Sequence, residues 1–143
     1  MRAYENGAAL SLGTVGTLFG LEIPLDEDTL RARINLQFLA HCSKIPREMM
    51  FDMIEVQRMR DAALADAAIR ALRQTGGPVI VITGNGHARN DWGAPMMVKH
   101  ADNTIKIVSL GQLEGSTGNP DLYDYAFVTP TIERDDPCNK IGE

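Results

Sequence analysis

One stretch limits the fold more than any other. Pro78-Val79-Ile80-Val81-Ile82-Thr83 is uncharged and rich in β-branched residues. It is preceded by Gly76-Gly77 and followed by Gly84-Asn85-Gly86-His87. Because it is continuously apolar rather than alternating, it reads as a strand buried on both faces, the pattern of a parallel sheet. Upstream, Arg47 to Thr75 contains no Gly or Pro and reads as a long helix, with Pro46 at its start and Gly76-Gly77-Pro78 as its stop. Its apolar stripe is read through Met49, Met50, Met53, Val56, Met59, Ala63, Ala67 and Leu72, with Glu55, Arg58, Asp61, Arg70 and Arg73 on the other face.

The flanking segments follow the same logic. Pro24 and Asp26-Glu27-Asp28 mark a helix start, since acidic groups favour the positive N-terminal end. From there to Ser43, Leu30, Ile34, Phe38 and His41 fall on one helical face, and His41 suits the helix end. Residues 1–20 are small and Gly-rich, with apolar Ala8, Leu10, Leu12, Val15, Leu18 and Phe19. Gly93 to His100 reads as a short helix, Thr104 to Leu110 as a second strand, Gly111 to Asp121 as loop, and Tyr125 to Thr129 as a third strand. The expected fold is α/β, a small parallel or mixed sheet of about three strands with helices packed on it, in a single domain over residues 1–143 whose tail, 133–143, is loosely held. So thin a sheet leaves apolar edges open. Its completion by a missing N-terminal half or a second subunit, including a homodimer, is therefore expected.

Composition removes several function classes. The 143 residues carry 14 Lys plus Arg against 19 Asp plus Glu, a formal charge of −5, so there is no basic footprint for nucleic acid. The longest uncharged stretch, Asn6 to Leu21, is broken by glycines and makes a poor membrane span. Met1-Arg2 followed by Tyr4-Glu5-Asn6 is not a signal peptide, so the chain reads as starting inside the cell or within something longer. Cys42 and Cys138 form no zinc-type cluster. They read as two free thiols, with a long-range disulfide as the alternative.

Two constellations could carry chemistry. The first is the loop after the apolar run, where ligands of open α/β sheets lie. There Asn85, His87, Arg89 and Asp91 offer a proton shuttle or metal ligand, a guanidinium fork and an orienting carboxylate. The other reading of this loop is a Gly-rich turn with solvated side chains. The second is Glu55-Val56-Gln57-Arg58-Met59-Arg60-Asp61, in which Gln57, Arg58 and Asp61 either form a solvated charged strip or point at the same pocket as His87. Trp92, the single Trp, is a stacking plate or a loop anchor. The Met stripe reads as core in the first instance.

Glu55 to Ala65, the link Gly76 to Ile82, and Gly84 to Pro95 together resemble the C-terminal half of the ChaN family. Ala40-His41-Cys42, Ile45-Pro46, Ser109 to Glu114 and Asp135 to Cys138 fit as well. The resemblance implies an iron-regulated haem-binding lipoprotein of the bacterial cell envelope, linked to haem uptake, with haem held between two subunits. It also implies an α/β fold shared with erythromycin-esterase-like and Tiki proteins. Family members are roughly twice as long as this chain, and their Gly-Glu-x-His motif and lipid-bearing Cys are not in this sequence, which leaves the chain's own location open. On this reading His87, Arg89, Asp91, Asn85, Gln57, Arg58 and Asp61 bind the ligand. His87 is the metal-ligating group and Arg89 the partner of a haem propionate. Haem ligation by Tyr4, Tyr123 or Tyr125 is not assignable from any motif. The alternatives are a hydrolase of esters or amides using a divalent metal at His87, and a truncated product without activity of its own.

Overall fold

The computed structural model describes residues 12–115 and 118–140. Ala8, Leu10 and Tyr4, singled out above, lie outside them. The first elements are α1 (Thr14–Leu18), α2 (Glu27–Ala40) and α3 (Met50–Thr75), with one 3-10 turn, Arg47–Met49, leading into α3. Then follow α4 (Asn85–Ala88), α5 (Ala94–Ala101), β1 (Leu110–Glu114) and β2 (Tyr125–Thr129). The Asp26 side chain caps α2 by accepting from the Thr29 N–H at 2.9 Å, satisfying one of the donors a helix start leaves open. Gly76, at φ 77°, ends α3 in the left-handed conformation.

The core lies where α3 meets α5 and the turn after α1. Phe19, Leu21, Ala62, Ala65, Ile69, Met97 and Val98 are buried together there. The buried stripe of α3 is Met50, Ile54, Arg58, Asp61, Ala62, Ala65 and Ile69. This corrects the sequence reading at two points. Met49, Ala63 and Ala67 are exposed, whereas Arg58 and Asp61 are 5% and 1% exposed and belong to the inner face. Met50 and Met97 are buried, and Met59 and Met96 pack on the core. These methionines are core filler.

The sheet is two-stranded and parallel, β1 beside β2 in the register Leu110↔Tyr125 to Glu114↔Thr129. Pairing begins at Leu110 and runs through residues read above as loop, so the second strand is displaced from Thr104–Leu110 toward the C-terminus. Residues 78–83, expected as the central strand, pair with no strand among the described residues, and Ile80, Val81 and Ile82 are 85%, 45% and 93% exposed. The expected first strand of three is therefore not formed among the described residues, since a strand buried on both faces requires neighbours that they do not provide. Cys42 and Cys138 are joined in a disulfide, with Cα atoms 5.5 Å apart. The reading as free thiols is thereby corrected, and the tail is tied to the end of α2. None of the described helices is long and apolar enough to cross a membrane.

Candidate functional site

Residues 78–83 deliver the chain into α4, the single turn Asn85–Ala88, and His87 projects from it against the middle of α3. His87 Nδ1 lies 2.7 Å from Asp61 Oδ1. Asp61 is almost wholly enclosed, with its side chain 2% exposed, while His87 keeps 22%. The other Asp61 oxygen faces Arg33 Nη2 at 3.7 Å, and the Arg33 side chain is itself 5% exposed. Three elements thus converge on one carboxylate: α2 through Arg33, α3 through Asp61 and α4 through His87.

Burial pushes the Asp61 carboxyl up to about 6, against the pull of the His87 hydrogen bond, the His87 charge and Arg33. Burial likewise lowers Arg33 to about 10, opposed by Asp61, so the guanidinium stays charged at neutral pH. Once ionised, the Asp61 carboxylate can only accept, so the hydrogen of this contact sits on His87 Nδ1, and in the neutral imidazole Nε2 is then the acceptor. An Asp whose native pKa exceeds its unfolded value holds its proton longer in the folded chain. The resulting stability is fully present below about pH 4 and is lost as pH rises to about 6, by on the order of 3 kcal/mol. Melting curves between pH 4 and 7 are expected to show this loss, and Asp61→Asn is expected to flatten it.

The loop that follows is braced by Trp92. Arg89 packs its guanidinium 3.4 Å from the centre of the Trp92 ring, and Arg33 lies 5.2 Å from it. Arg33 Nη2 also donates to the Trp92 carbonyl at 3.3 Å. Arg89 donates through Nε and Nη2 to the two oxygens of Asp91, each at 2.6 Å. Its fork, read above as a propionate partner, is already filled by Asp91. Gly93 is required by the tight fold-back of the loop: a Cβ there would sit 2.5 Å from the His87 carbonyl oxygen and 2.6 Å from that of Arg89.

The remaining sequence candidates are placed elsewhere. Arg58 donates to Glu55 Oε1 at 2.8 Å and to the Ile23 carbonyl at 2.8 Å, clamping the turn after α1. Gln57 is half-buried on α3; it is not drawn into the His87–Asp61–Arg33 group. Asn85 bonds the backbone of Gln112 in both senses, Nδ2 to the carbonyl at 2.6 Å and the Gln112 N–H to Oδ1 at 3.2 Å. Tyr123 donates its hydroxyl to the Asn85 carbonyl at 3.2 Å, and burial raises its phenol above the ordinary tyrosine value. Of the neighbours of Asp61 and Arg89, Arg33 was not singled out from the sequence, and Trp92 was read as a stacking plate or a loop anchor. Arg33 could have been found: it falls between Leu30 and Ile34, on the apolar face of α2 where an unpaired cation does not belong.

A cleft of about 600 Å³ lies beside this group, floored by α3 and α5, with Asn85 and His87 at one end. A family model described as haem-binding uptake, Tiki superfamily, ChaN matches residues 9–98, more than half of the chain. The chain belongs to the ChaN family. No curated protein and no solved structure matches it. The ChaN match spans Arg33, Asp61, His87, Arg89 and Trp92 and stops within α5, so β1 and β2 lie beyond it.

Proposed function

We propose that this protein binds haem for uptake, with His87 Nε2 as an axial group to the iron. The observation that supports this most is the 2.7 Å pair between His87 Nδ1 and the enclosed Asp61. A carboxylate behind an imidazole fixes its tautomer, orients the ring and raises its basicity toward a metal. The donor set fits haem better than a bare divalent ion. The porphyrin itself supplies the equatorial nitrogens, so the protein needs one axial side chain. A zinc site needs three or more protein donors, and the described residues hold no group of three His, Cys, Asp or Glu suited to a metal. Haem iron, if bound, would supply a Lewis-acidic, redox-active centre. Ala88 and Pro95, which line the cleft beside His87, provide apolar surface for the ring edge. The Cys42–Cys138 disulfide favours an oxidising location such as the cell envelope.

Titration of the full chain with haem, followed in the Soret band, tests the reading. Saturable binding in the micromolar range with a histidine-type spectrum is expected. His87→Ala is expected to abolish that spectrum. Asp61→Asn is expected to keep it and weaken affinity about 10-fold to 100-fold, the usual cost of losing such a support. A wild-type chain whose Soret band stays that of free haem would refute the proposal. The same Asp–His pair is also the geometry of a general base. Ester or amide turnover that is lost in His87→Ala and insensitive to haem would favour a hydrolase instead.

A further inference from the structure

The charges behind His87 stand in a definite order. The imidazole touches the Asp61 carboxylate through Nδ1 at 2.7 Å, and that carboxylate is enclosed, with 2% of its side chain exposed. The nearest cation, Arg33, touches the other carboxylate oxygen at 3.7 Å. Its guanidinium is shared with Trp92, donating to the carbonyl at 3.3 Å and lying 5.2 Å from the ring. The remaining charges close by are matched in pairs. Arg58 donates to Glu55 at 2.8 Å, and Arg89 donates to both oxygens of Asp91. The group directly behind the imidazole is thus an anion, and burial spares it the screening that salt imposes on surface charges.

The two oxidation states of haem differ in charge. Iron and the porphyrin ring together are positive in the ferric state and neutral in the ferrous state. A carboxylate behind the axial imidazole favours the positive form twice over: by direct attraction, and by making the imidazole a stronger donor. The soft donors that would favour ferrous iron are placed elsewhere. A thioether ligand raises the potential of a haem iron, but Met50 and Met97 are buried in the core, and among the described residues lining the cleft there is no Met or Cys. Cys42 and Cys138 are held in their disulfide. That bond suits an oxidising setting, and in such a setting free haem is ferric.

We propose that the site selects ferric haem over ferrous haem, and that Asp61 is the positioning residue that sets the preference through His87. The inference rests on haem binding at His87 as proposed above and adds the oxidation state of the cargo. Selectivity and potential are two faces of one cycle. If the ferric form binds more tightly than the ferrous form, the bound haem is harder to reduce by the same factor. A tenfold affinity ratio corresponds to about 59 mV in a one-electron midpoint potential. Arg33 works against the effect, but it reaches His87 only by way of the carboxylate it pairs with.

Titration of the full chain with ferric haem, and with haem reduced at an electrode, tests it at pH 8, where Asp61 is ionised. Wild type is expected to bind the ferric form at least tenfold more tightly. The ratio is expected to fall at least tenfold in Asp61→Asn, and spectroelectrochemistry of the haem-loaded chains is expected to show the matching rise in midpoint potential. Zinc protoporphyrin, whose metal and ring are together neutral, separates charge from ring orientation. Asp61→Asn is expected to weaken its binding at least tenfold less than that of ferric haem. Equal affinities for the two oxidation states in wild type would overturn the preference and leave haem binding standing. A preference unchanged in Asp61→Asn would overturn Asp61 as its source. Equal losses for ferric haem and zinc protoporphyrin would reduce Asp61 to holding the ring. A Soret band that stays that of free haem in every titration would remove haem binding itself, and the selectivity with it.

Discussion

Replacing Cys42 and Cys138 together by Ser is expected to lower stability by about 3–5 kcal/mol, read as a fall in Tm on the order of 10 °C. The bridge joins positions 96 residues apart, and in the chain-entropy account a loop of that size confines the unfolded ensemble strongly. The ring it closes contains α3, α4, α5, β1 and β2, and therefore Asp61 and His87. On the native side Lys44 Nζ donates to the Cys138 carbonyl at 2.7 Å and the Cys138 N–H to Asp136 Oδ1 at 2.9 Å. A Tm unchanged by reductant and by the double substitution would show that the tail contributes nothing to the fold.

Arg33→Met is expected to be the most damaging single substitution near the site. It removes the cation opposite Asp61 without changing the carboxylate's enclosure, at a cost of about 3–5 kcal/mol at neutral pH. The pH dependence separates this cause from lost packing. As pH falls below about 6, the value to which burial raises Asp61, the carboxyl protonates and needs its partner less, so the penalty is expected to shrink. Asp61→Asn in the same background is expected to recover much of the loss, giving a coupling energy in a double-mutant cycle. Urea denaturation at pH 5 and pH 7 reads both effects. Equal penalties at the two pH values would assign the loss to the Trp92 contact instead.

The helices were largely legible because helical signals are local. The Asp26 cap and its acidic first turn fixed the start of α2, and the double glycine fixed the end of α3. Of the strands, Tyr125–Thr129 was legible as it stands, whereas 78–83 pairs with nothing among the described residues and 104–110 overlaps its strand by one residue. Nothing local to 104–110 says that hydrogen bonding will start at Leu110 and continue to Glu114, because register is set by the partner strand. The disulfide was ambiguous for the same reason: two cysteines 96 positions apart say nothing of their distance in space. Within the site, His87 stood out because Gly84 and Gly86 bracket its approach after an apolar run. Asp61 was visible as a candidate but its facing was not, since Arg58 and Asp61 share a polar strip in sequence and a buried stripe in space. Only the fold separates the two, sending Arg58 to Glu55 and Ile23 and Asp61 to His87.

Asp61 is gripped on one side by a residue of α2 and on the other by the imidazole of α4. Free energies of this kind are reciprocal. A ligand that draws electron density from Nε2 strengthens the Nδ1 hydrogen on Asp61, and the carboxylate's hold on Arg33 then shifts with it. Occupancy at the imidazole and seating of the second helix are thereby linked in one equilibrium, so under the proposed function the helix would register from a distance whether a ligand is bound.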